Sequence, residues 1–457
     1  MLDSLKTLVS EISGEYIGAD VSITGVHINS REIEKGQLFV AIKADRDGHD
    51  FVQNAIENGA CAVLVSDKQH NLAVPQIVVG DTRKALFDLA QAYRSKLNMP
   101  VLSLTGSCGK TTTKEMLVCT LSAFGKVHYS KGNFNNDLGV PITILSTPND
   151  ADFLVVEAGT NAKGEIPYLA TLIQPDIAGI TNVSASHLEK LQSLEGVMLE
   201  KGALLQALVN KNGCAIINLD DGRIVQYATS LAVQKVSFSM QQQADVQLVS
   251  YKASSNKLDY EVRVDDIIYS GQLKIVGKHN IQNALMTLAY IKALKLDIQK
   301  SCIALCNFKP YKGRFSLHQV NSYLSVIDDT YNASVQSVKA AIEDLSSFDG
   351  VKYIVLSNMG ELGEHAEFYH QQVGRWIKEA RIDHVYLYGH KEWMEIMKAE
   401  VDSHVQYFAA KESLISTLIT QLKNMIKQNT RVLIKGSNAN KMGEVVVAVL
   451  EQYPAIL

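Results

Sequence analysis

The apolar run Val101 to Leu104 passes directly into Thr105-Gly106-Ser107-Cys108-Gly109-Lys110-Thr111-Thr112 and then into a helical pattern. A strand feeding a glycine turn and then a helix aims backbone N–H groups and the positive helix end at one point, which makes a cradle for phosphate. In such a cradle Lys110 bridges the β- and γ-phosphates of a nucleotide, and Thr111 offers its hydroxyl to Mg²⁺. The strict Walker spacing GxxxxGK[ST] fails because position 104 is Leu, so an unoccupied glycine turn remains the alternative. The same step constrains the fold, because repeated strand–helix units close into a parallel sheet covered on both faces.

That alternation continues through Phe153 to Val156 and Ile177 to Val183, then changes between Val246 and Val276 to period-two strands with polar turns. The change reads as an antiparallel extension of the same central domain, closed by helices over Asn280 to Leu296 and Gln299 to Asn307. Before it, short strands (Gln37 to Ile42, Cys61 to Ser66, Pro75 to Val79) surround one helix, Asp50 to Asn58, stopped by Gly59. After it, strands near Leu324 to Ile327, Tyr353 to Leu356, His384 to Tyr388, Val405 to Phe408 and Arg431 to Ile434 alternate with helical stretches. The expected fold is therefore α/β with three domains. These are a small α/β module over 1–81, a central P-loop parallel-sheet ATPase domain over 82–310, and a Rossmann-like doubly wound domain over 311–457. The length agrees, since 457 residues at roughly 150 per domain give about three.

Charge and composition remove several function classes. Lys and Arg number 44 against 48 Asp and Glu, so there is no global positive field to recruit nucleic acid or acidic membrane, and an anionic ligand must be held locally. No apolar run approaches a transmembrane span, and Met1 to Tyr16 alternates too closely for a signal-peptide core. A cytoplasmic protein is expected. The six cysteines form no CxxC pair, which fits reduced thiols better than a disulfide frame or zinc site.

Phosphate binding alone also fits a GTP-dependent switch. Asp176-Ile177-Ala178-Gly179 matches DxxG, and Asn256-Lys257-Leu258-Asp259 matches NKxD. Yet Asp176 precedes its strand, where a switch aspartate ends one, and the second match falls in an expected hairpin turn. Both are short patterns with a high chance rate.

A longer series of segments is more specific: Asn29-Ser30-Arg31, Gly36 to Ala41, Asp47 to Phe51, Thr105 to Thr113, GNFNNDLGVP from Gly132 and EAGTNAKGEI from Glu157. It continues with His187-Leu188-Glu189, Glu200-Lys201-Gly202, GKHNIQNA from Gly277, Gly313-Arg314, DDTYNAS from Asp328, MGELG from Met359 and Lys435-Gly436-Ser437. In this order, across all three expected domains, the chain resembles the Mur ligases, whose short TGSxGKTTT phosphate loop accounts for the Walker mismatch. DDTYNAS and MGELG resemble the members that add a dipeptide rather than one amino acid. The resemblance implies an ATP- and Mg²⁺-dependent ligase joining D-alanyl-D-alanine to UDP-N-acetylmuramoyl-tripeptide, with no nucleic-acid partner and a monomer expected. The alternatives are a sister ligase adding a single amino acid, a folylpolyglutamate synthase-like enzyme, which lacks a counterpart of the first module, and the nucleotide switch.

The resemblance also assigns roles. The whole loop Thr105 to Thr112 with Asn283 would hold ATP, Asn283 on the adenine side, and Arg314 with Asp329 would take the ribose. Thr111, Glu157, His187 and Lys201 would hold metal, Lys201 as a CO₂-derived carbamate. Lys110, Asn135 and Asn136 would serve the acyl phosphate, and Ser30, Arg31, Gly48 and His49 would line the uridine diphosphate. Residue type alone leaves blander readings open: a buried carboxylate at Glu157, a structural histidine at 187, a solvated helix lysine at 201, and Asn side chains satisfying their own loop. Carbamylation needs the neutral amine, so burial or cationic neighbours must lower a lysine pKa that is normally about 10.4. The sequence departs from the family at Asn29, usually Asp, at Ser357-Asn358, often Gly-Asp, at Asn438, commonly Arg, and at Cys108, commonly Asn. Cys108 beside Lys110 and a helix N-terminus is placed for thiol reactivity.

Overall fold

The computed structural model describes residues 4–401, 404–424 and 428–453. The first three residues of the amino-terminal segment and the last four of the third expected domain lie outside that range. Three sheets follow one another along the chain. The first has the order Glu15–Ile17, Gln76–Val78, Ala62–Val65, Leu38–Val40, Val26–His27, parallel except for Glu15–Ile17. The second has nine strands, in the order Ile267–Leu273, Leu258–Val264, Val246–Ala253, Gln234–Ser239, Cys214–Asn218, Ile177–Ile180, Val101–Thr105, Phe153–Glu157, Val127–Tyr129. Its first three strands pair antiparallel and extend the parallel part through Val246–Ala253, which runs parallel to Gln234–Ser239. The third has the order Ser316–Gln319, Leu324–Asp329, Thr430–Lys435, Val351–Ser357, His384–Tyr388, His404–Phe408, with only Ser316–Gln319 antiparallel. The three-domain α/β architecture is as expected. The sequence reading named none of Glu15–Ile17, Val26–His27, Val127–Tyr129 and Ser316–Gln319, which lie at sheet edges and are too short to show a period, nor Cys214–Asn218 and Gln234–Ser239, which are internal strands of the central sheet.

Burial follows from the sheet type. Val101–Thr105 and Phe153–Glu157 are buried at every position, because helices cover both faces of a parallel sheet and leave no wet face for polar residues to alternate onto. Val101–Thr105 lies between Phe153–Glu157 and Ile177–Ile180, with Leu104 level with Glu157 and Thr105 with Ile180. Three chain segments remote in sequence therefore finish side by side at one sheet edge: the glycine loop, Glu157, and the stretch after Ile180.

The domains are bolted together by named groups. Helix Thr82–Arg94 starts on the side chain of Asp81, which accepts from the N–H groups of Arg83 and Lys84. Its Thr82 hydroxyl donates to the Ala41 carbonyl of the first domain at 2.8 Å, while Tyr93 donates to the Thr147 carbonyl at 2.7 Å and Arg94 to those of Ile173 and Gln174 at 2.8 Å. The third domain reaches the central one through Arg314, Ser334, Glu361 and Arg431, the last donating to the Ser255 carbonyl at 2.9 Å. Among the described residues no helix is long and apolar enough to cross a membrane.

Candidate active site

The glycine loop has the shape that its sequence demands. A Cβ on Gly106 would lie 1.9 Å from Oγ1 of Thr181, and one on Gly109, at φ +81°, would lie 2.6 Å from Oδ1 of Asn283. Glycine is thus required at both positions by close approach as well as by backbone conformation. Gly109 caps helix Lys110–Leu121, so the helix begins where the loop closes. The back of the loop is fixed by the segment after Ile180: Asn182 accepts from the Cys108 N–H at 3.1 Å and donates to the Cys108 carbonyl at 3.0 Å, while its own carbonyl accepts from Ser107 N–H at 2.9 Å. The Ser107 hydroxyl donates to the Ser184 carbonyl at 3.1 Å.

Around this cradle the polar side chains converge. Lys110 Nζ donates to the Gly106 carbonyl at 2.7 Å, and loss of water around it pushes its pKa below the usual lysine value, against the pull of Glu157. The Thr111 hydroxyl donates to Oε1 of Glu157 at 3.3 Å, and the same carboxylate oxygen accepts from Asn135 Nδ2 at 2.8 Å. Arg314 of the third domain donates to Oγ1 of Thr111 at 3.2 Å and stacks 3.7 Å from the Tyr331 ring centroid. Glu157 Oε2 is buried with no hydrogen-bond partner; the ammonium of fully buried Lys114 stands 3.7 Å away. A buried oxygen left unbonded is costly unless a ligand takes it, and a carboxylate beside a threonine hydroxyl at a phosphate loop is a donor set suited to Mg²⁺.

Lys201 lies in helix Leu194–Gln206 and is 1% exposed. Burial, with Lys110 adding repulsion, pushes its pKa down to about 7, so about half of the amines are neutral at neutral pH. The solvated-lysine alternative does not hold. Its neighbour Glu200 is structural, accepting from the N–H groups of Gly164 and Ile166 at 2.7 Å each. His187, at φ +53°, precedes helix Leu188–Leu191 and its Nδ1 meets the carboxylate of Glu361 from the third domain. Among the described residues no three His, Cys, Asp or Glu side chains gather into a cation site.

The remaining sequence candidates separate by surroundings. Asn135 reaches Glu157, whereas the Oδ1 of Asn136 accepts from Gly139 N–H at 2.9 Å at the start of helix Gly139–Leu145. Asn283 sits behind the loop, accepting from the Thr113 hydroxyl at 3.2 Å. Asp329 accepts from the buried amine of Lys435 at 2.5 Å, beside His279, whose imidazole burial pushes down to about 4. Cys108 Sγ lies 3.0 Å from Ser334 Oγ across the domain boundary.

In the first domain Ser30 is buried, and its carbonyl accepts from Asn58 Nδ2 at 2.8 Å. Arg31 is exposed, with its N–H donating to Oδ1 of Asn29 at 3.1 Å. A Cβ on Gly48 would lie 2.6 Å from the Ile42 nitrogen. His49 accepts from Ser66 N–H on Nε2 at 2.9 Å, so its Nδ1 carries the proton and donates to Asp47 at 2.6 Å.

The sequence reading missed Lys114, although it lies one helical turn after Lys110 on the same face, and Asn182, which no local pattern announces. Tyr331, Glu361 and Lys435 lay within segments already marked, but their partners are on other strands or in another domain. The switch reading loses its geometry. Asp176 accepts from Val101 N–H at 2.8 Å, at the strand end opposite the loop, and Lys211 stands 3.0 Å from it. The NKxD stretch is a hairpin turn beside Ser255, which meets Arg431.

The chain matches the Mur ligase catalytic domain over residues 22–97, the Mur ligase middle domain over 104–291 and the Mur ligase glutamate ligase domain over 313–438. It is 36% identical to a UDP-N-acetylmuramoyl-tripeptide--D-alanyl-D-alanine ligase of Escherichia coli K12, covering 98% of both chains. A crystal structure of MurF from Acinetobacter baumannii superposes with a TM-score of 0.89 at 29% identity, over 98% of this chain and 99% of that one. The MurF ligase of Thermotoga maritima, solved in complex with ADP, superposes with a TM-score of 0.83 at 27% identity, over 94% and 97% of the two chains.

Proposed function

The chain belongs to the Mur ligase family, and on that premise we propose that it joins D-alanyl-D-alanine to UDP-N-acetylmuramoyl-tripeptide, converting ATP to ADP and phosphate. The product is the UDP-linked pentapeptide of the cytoplasmic stage of peptidoglycan synthesis, and the enzyme acts as a monomer. The observation that carries this reading is the full-length similarity to ligases of that substrate pair, joined to a phosphate loop whose threonine bonds both the strand-end carboxylate Glu157 and an arginine of the third domain.

The chemistry fits these groups. The terminal carboxylate of the tripeptide attacks the γ-phosphorus of ATP, releasing ADP and leaving an acyl phosphate. The dipeptide amine then attacks the acyl carbon, and the tetrahedral intermediate expels phosphate as the amide forms and the ammonium proton is lost. Two anions have to approach each other first. Lys110 and Arg314 bring positive charge to the phosphates, and Asn135 holds the Glu157 carboxylate in place while its own loop borders the acyl group. Thr111 and Glu157 would hold one Mg²⁺, and His187 with a carbamate on Lys201 a second, and these cations would supply the remaining neutralisation. Asn283 and Asp329 take the adenosine, Arg314 serving both ribose and phosphate sides because it crosses the domain boundary. Ser30, Arg31, Gly48 and His49 form the uridine diphosphate site, where His49 acts as a brace with both ring nitrogens engaged.

Phosphate release is expected only when UDP-N-acetylmuramoyl-tripeptide and D-alanyl-D-alanine are both present, with a product mass increased by one dipeptide less water. Release that ignores the dipeptide but follows a single amino acid would transfer the assignment to a sister ligase. A second outcome concerns Cys108, half-buried inside the loop. Alkylation should inactivate the enzyme and ATP should protect it, whereas inactivation that persists in Cys108→Ser would place the sensitive thiol elsewhere.

A further inference from the structure

Strands Leu324–Asp329 and Thr430–Lys435 run parallel in the third sheet and end level, with Asp329 opposite Lys435. The carboxyl ends of parallel strands are where α/β sheets receive ligands. Lys435 is 1% exposed, and its Nζ donates to Oδ2 of Asp329 at 2.5 Å and to the Asn332 carbonyl at 2.9 Å. One buried amine therefore holds both ends of the turn from Asp329 to Asn332. Inside that turn the Tyr331 N–H donates to the Gly313 carbonyl at 3.0 Å, and the Tyr331 ring stacks on Arg314, which donates to Thr111 of the phosphate loop. On the other side, Asp329 and Lys435 both act on the charge of the His279 imidazole. His279 opens the helix whose Asn283 accepts from Thr113. The pair thus stands between the third domain and the loop–helix unit that cradles phosphate. The Asp329 side chain keeps 14% of its surface exposed, so the carboxylate is gripped from the interior and remains accessible. Stability does not account for such a pair, because an apolar pair of similar volume serves as well or better.

We infer that Lys435 is a positioning residue for nucleotide binding: it fixes the Asp329 carboxylate with one oxygen on the amine and the other available to a ribose hydroxyl. This rests on the reading of Asp329 as a ribose residue. A carboxylate has acceptor sites on both oxygens, so an ammonium on one leaves the other free to accept from a hydroxyl. The amine also offsets the charge of Asp329, which would otherwise repel the phosphates of a nucleotide. Through the Asn332 carbonyl the same amine sets the turn that stacks Tyr331 on Arg314. Ribose and phosphate contacts of the third domain therefore share one support.

The test titrates the full chain, with Mg²⁺ and without peptide substrates, against ADP, 2′-deoxy-ADP and 3′-deoxy-ADP by calorimetry. Wild type should bind ADP about 10- to 100-fold more tightly than the analogue lacking the bonded hydroxyl, the scale of one hydrogen bond to a charged group. K435M should bind ADP more weakly and bring that ratio close to one. D329A should do the same, and K435M/D329A should show the ratio of D329A alone, because Lys435 acts on the ribose through Asp329. A K435M protein that binds all three nucleotides more weakly by one common factor would have lost only a structural lysine, and the inference would be overturned. A ratio left unchanged by D329A would overturn the ribose reading and the inference with it. If K435M fails to fold, K435Q, which lacks the charge and is too short to span both acceptors, takes its place with the same expected ratio. Binding is read without substrates, so a wild-type enzyme that failed to use the dipeptide would overturn the substrate assignment and leave this test standing.

Discussion

Glu157→Gln should reduce turnover about a thousandfold, the scale of several kcal/mol of charge stabilisation removed from a phosphoryl-transfer site, while the protein stays folded. The glutamine carbonyl can still accept from Asn135 and Thr111, which now bond Oε1 at 2.8 and 3.3 Å. What disappears is the charge at Oε2, the buried oxygen without a hydrogen-bond partner. Lys114 would remain satisfied by the carbonyls of Ser130 and Gly132, at 2.7 and 3.2 Å, and by Glu115 at 3.1 Å. The stability cost should therefore be about 1–2 kcal/mol. Alanine is a poorer probe, because it removes both oxygens from beside a buried ammonium, and breaking a buried pair costs about 3–5 kcal/mol. Steady-state phosphate release and urea denaturation of the same preparations check both parts. A glutamine variant that turns over normally would remove Glu157 from the chemistry.

The second large effect concerns Lys201. Lys201→Ala should be inactive and partly rescued by added short carboxylic acids, which would supply the anionic ligand from solution. Failure of every acid to rescue would argue against a carbamate. The pH dependence has a definite sign. With a folded pKa of about 7, the neutral amine needed to capture CO₂ falls to about one in ten at pH 6 and rises to about nine in ten at pH 8. Activity recovered after CO₂ depletion and readdition should follow that curve.

The same shift makes a stability prediction. The folded pKa lies below the unfolded value, so between about pH 7 and 10 the unfolded chain binds more protons and stability gains with rising pH. Below pH 7 the full cost of burying the ammonium is present. Lys201→Met should therefore be more stable than the parent at pH 6, by an amount on the order of a few kcal/mol, while being inactive. Urea denaturation at pH 6 and pH 9 tests this. Equal gains at both pH values would mean that Lys201 is not the titrating group.

The elements legible in the sequence were those with strong local signals. The strands at Val101, Phe153, Ile177, Leu324 and Val351 are mostly apolar because both faces of their sheets are covered, and helix Thr82–Arg94 carried its cap and its apolar stripe openly. Glu15–Ile17, Val26–His27 and Ser316–Gln319 could not be seen, since two to four residues hold no period and edge strands draw their stability from a neighbour. Within the site, Lys110, Thr111 and Glu157 were fixed by one strand–loop–helix step and one strand end. The roles of Asn135 and Asn136 were not separable from an Asn-rich stretch. Only the fold turns one toward Glu157 and the other onto the start of helix Gly139–Leu145.

The sequence by itself determined the class of fold, the phosphate cradle and the order of the segments that build the site, because each depends on residues within a turn or two of one another. The tertiary structure decided what depends on water and on distant partners. Lys201 has a near-neutral pKa because segments remote in sequence exclude solvent from it together and place Lys110 within range. Glu157 is buried opposite Lys114, and His187 meets the carboxylate of Glu361, through contacts between different strands and different domains. Spacing along the chain fixes geometry over a few ångströms, whereas desolvation and charge pairing are properties of the assembled interior.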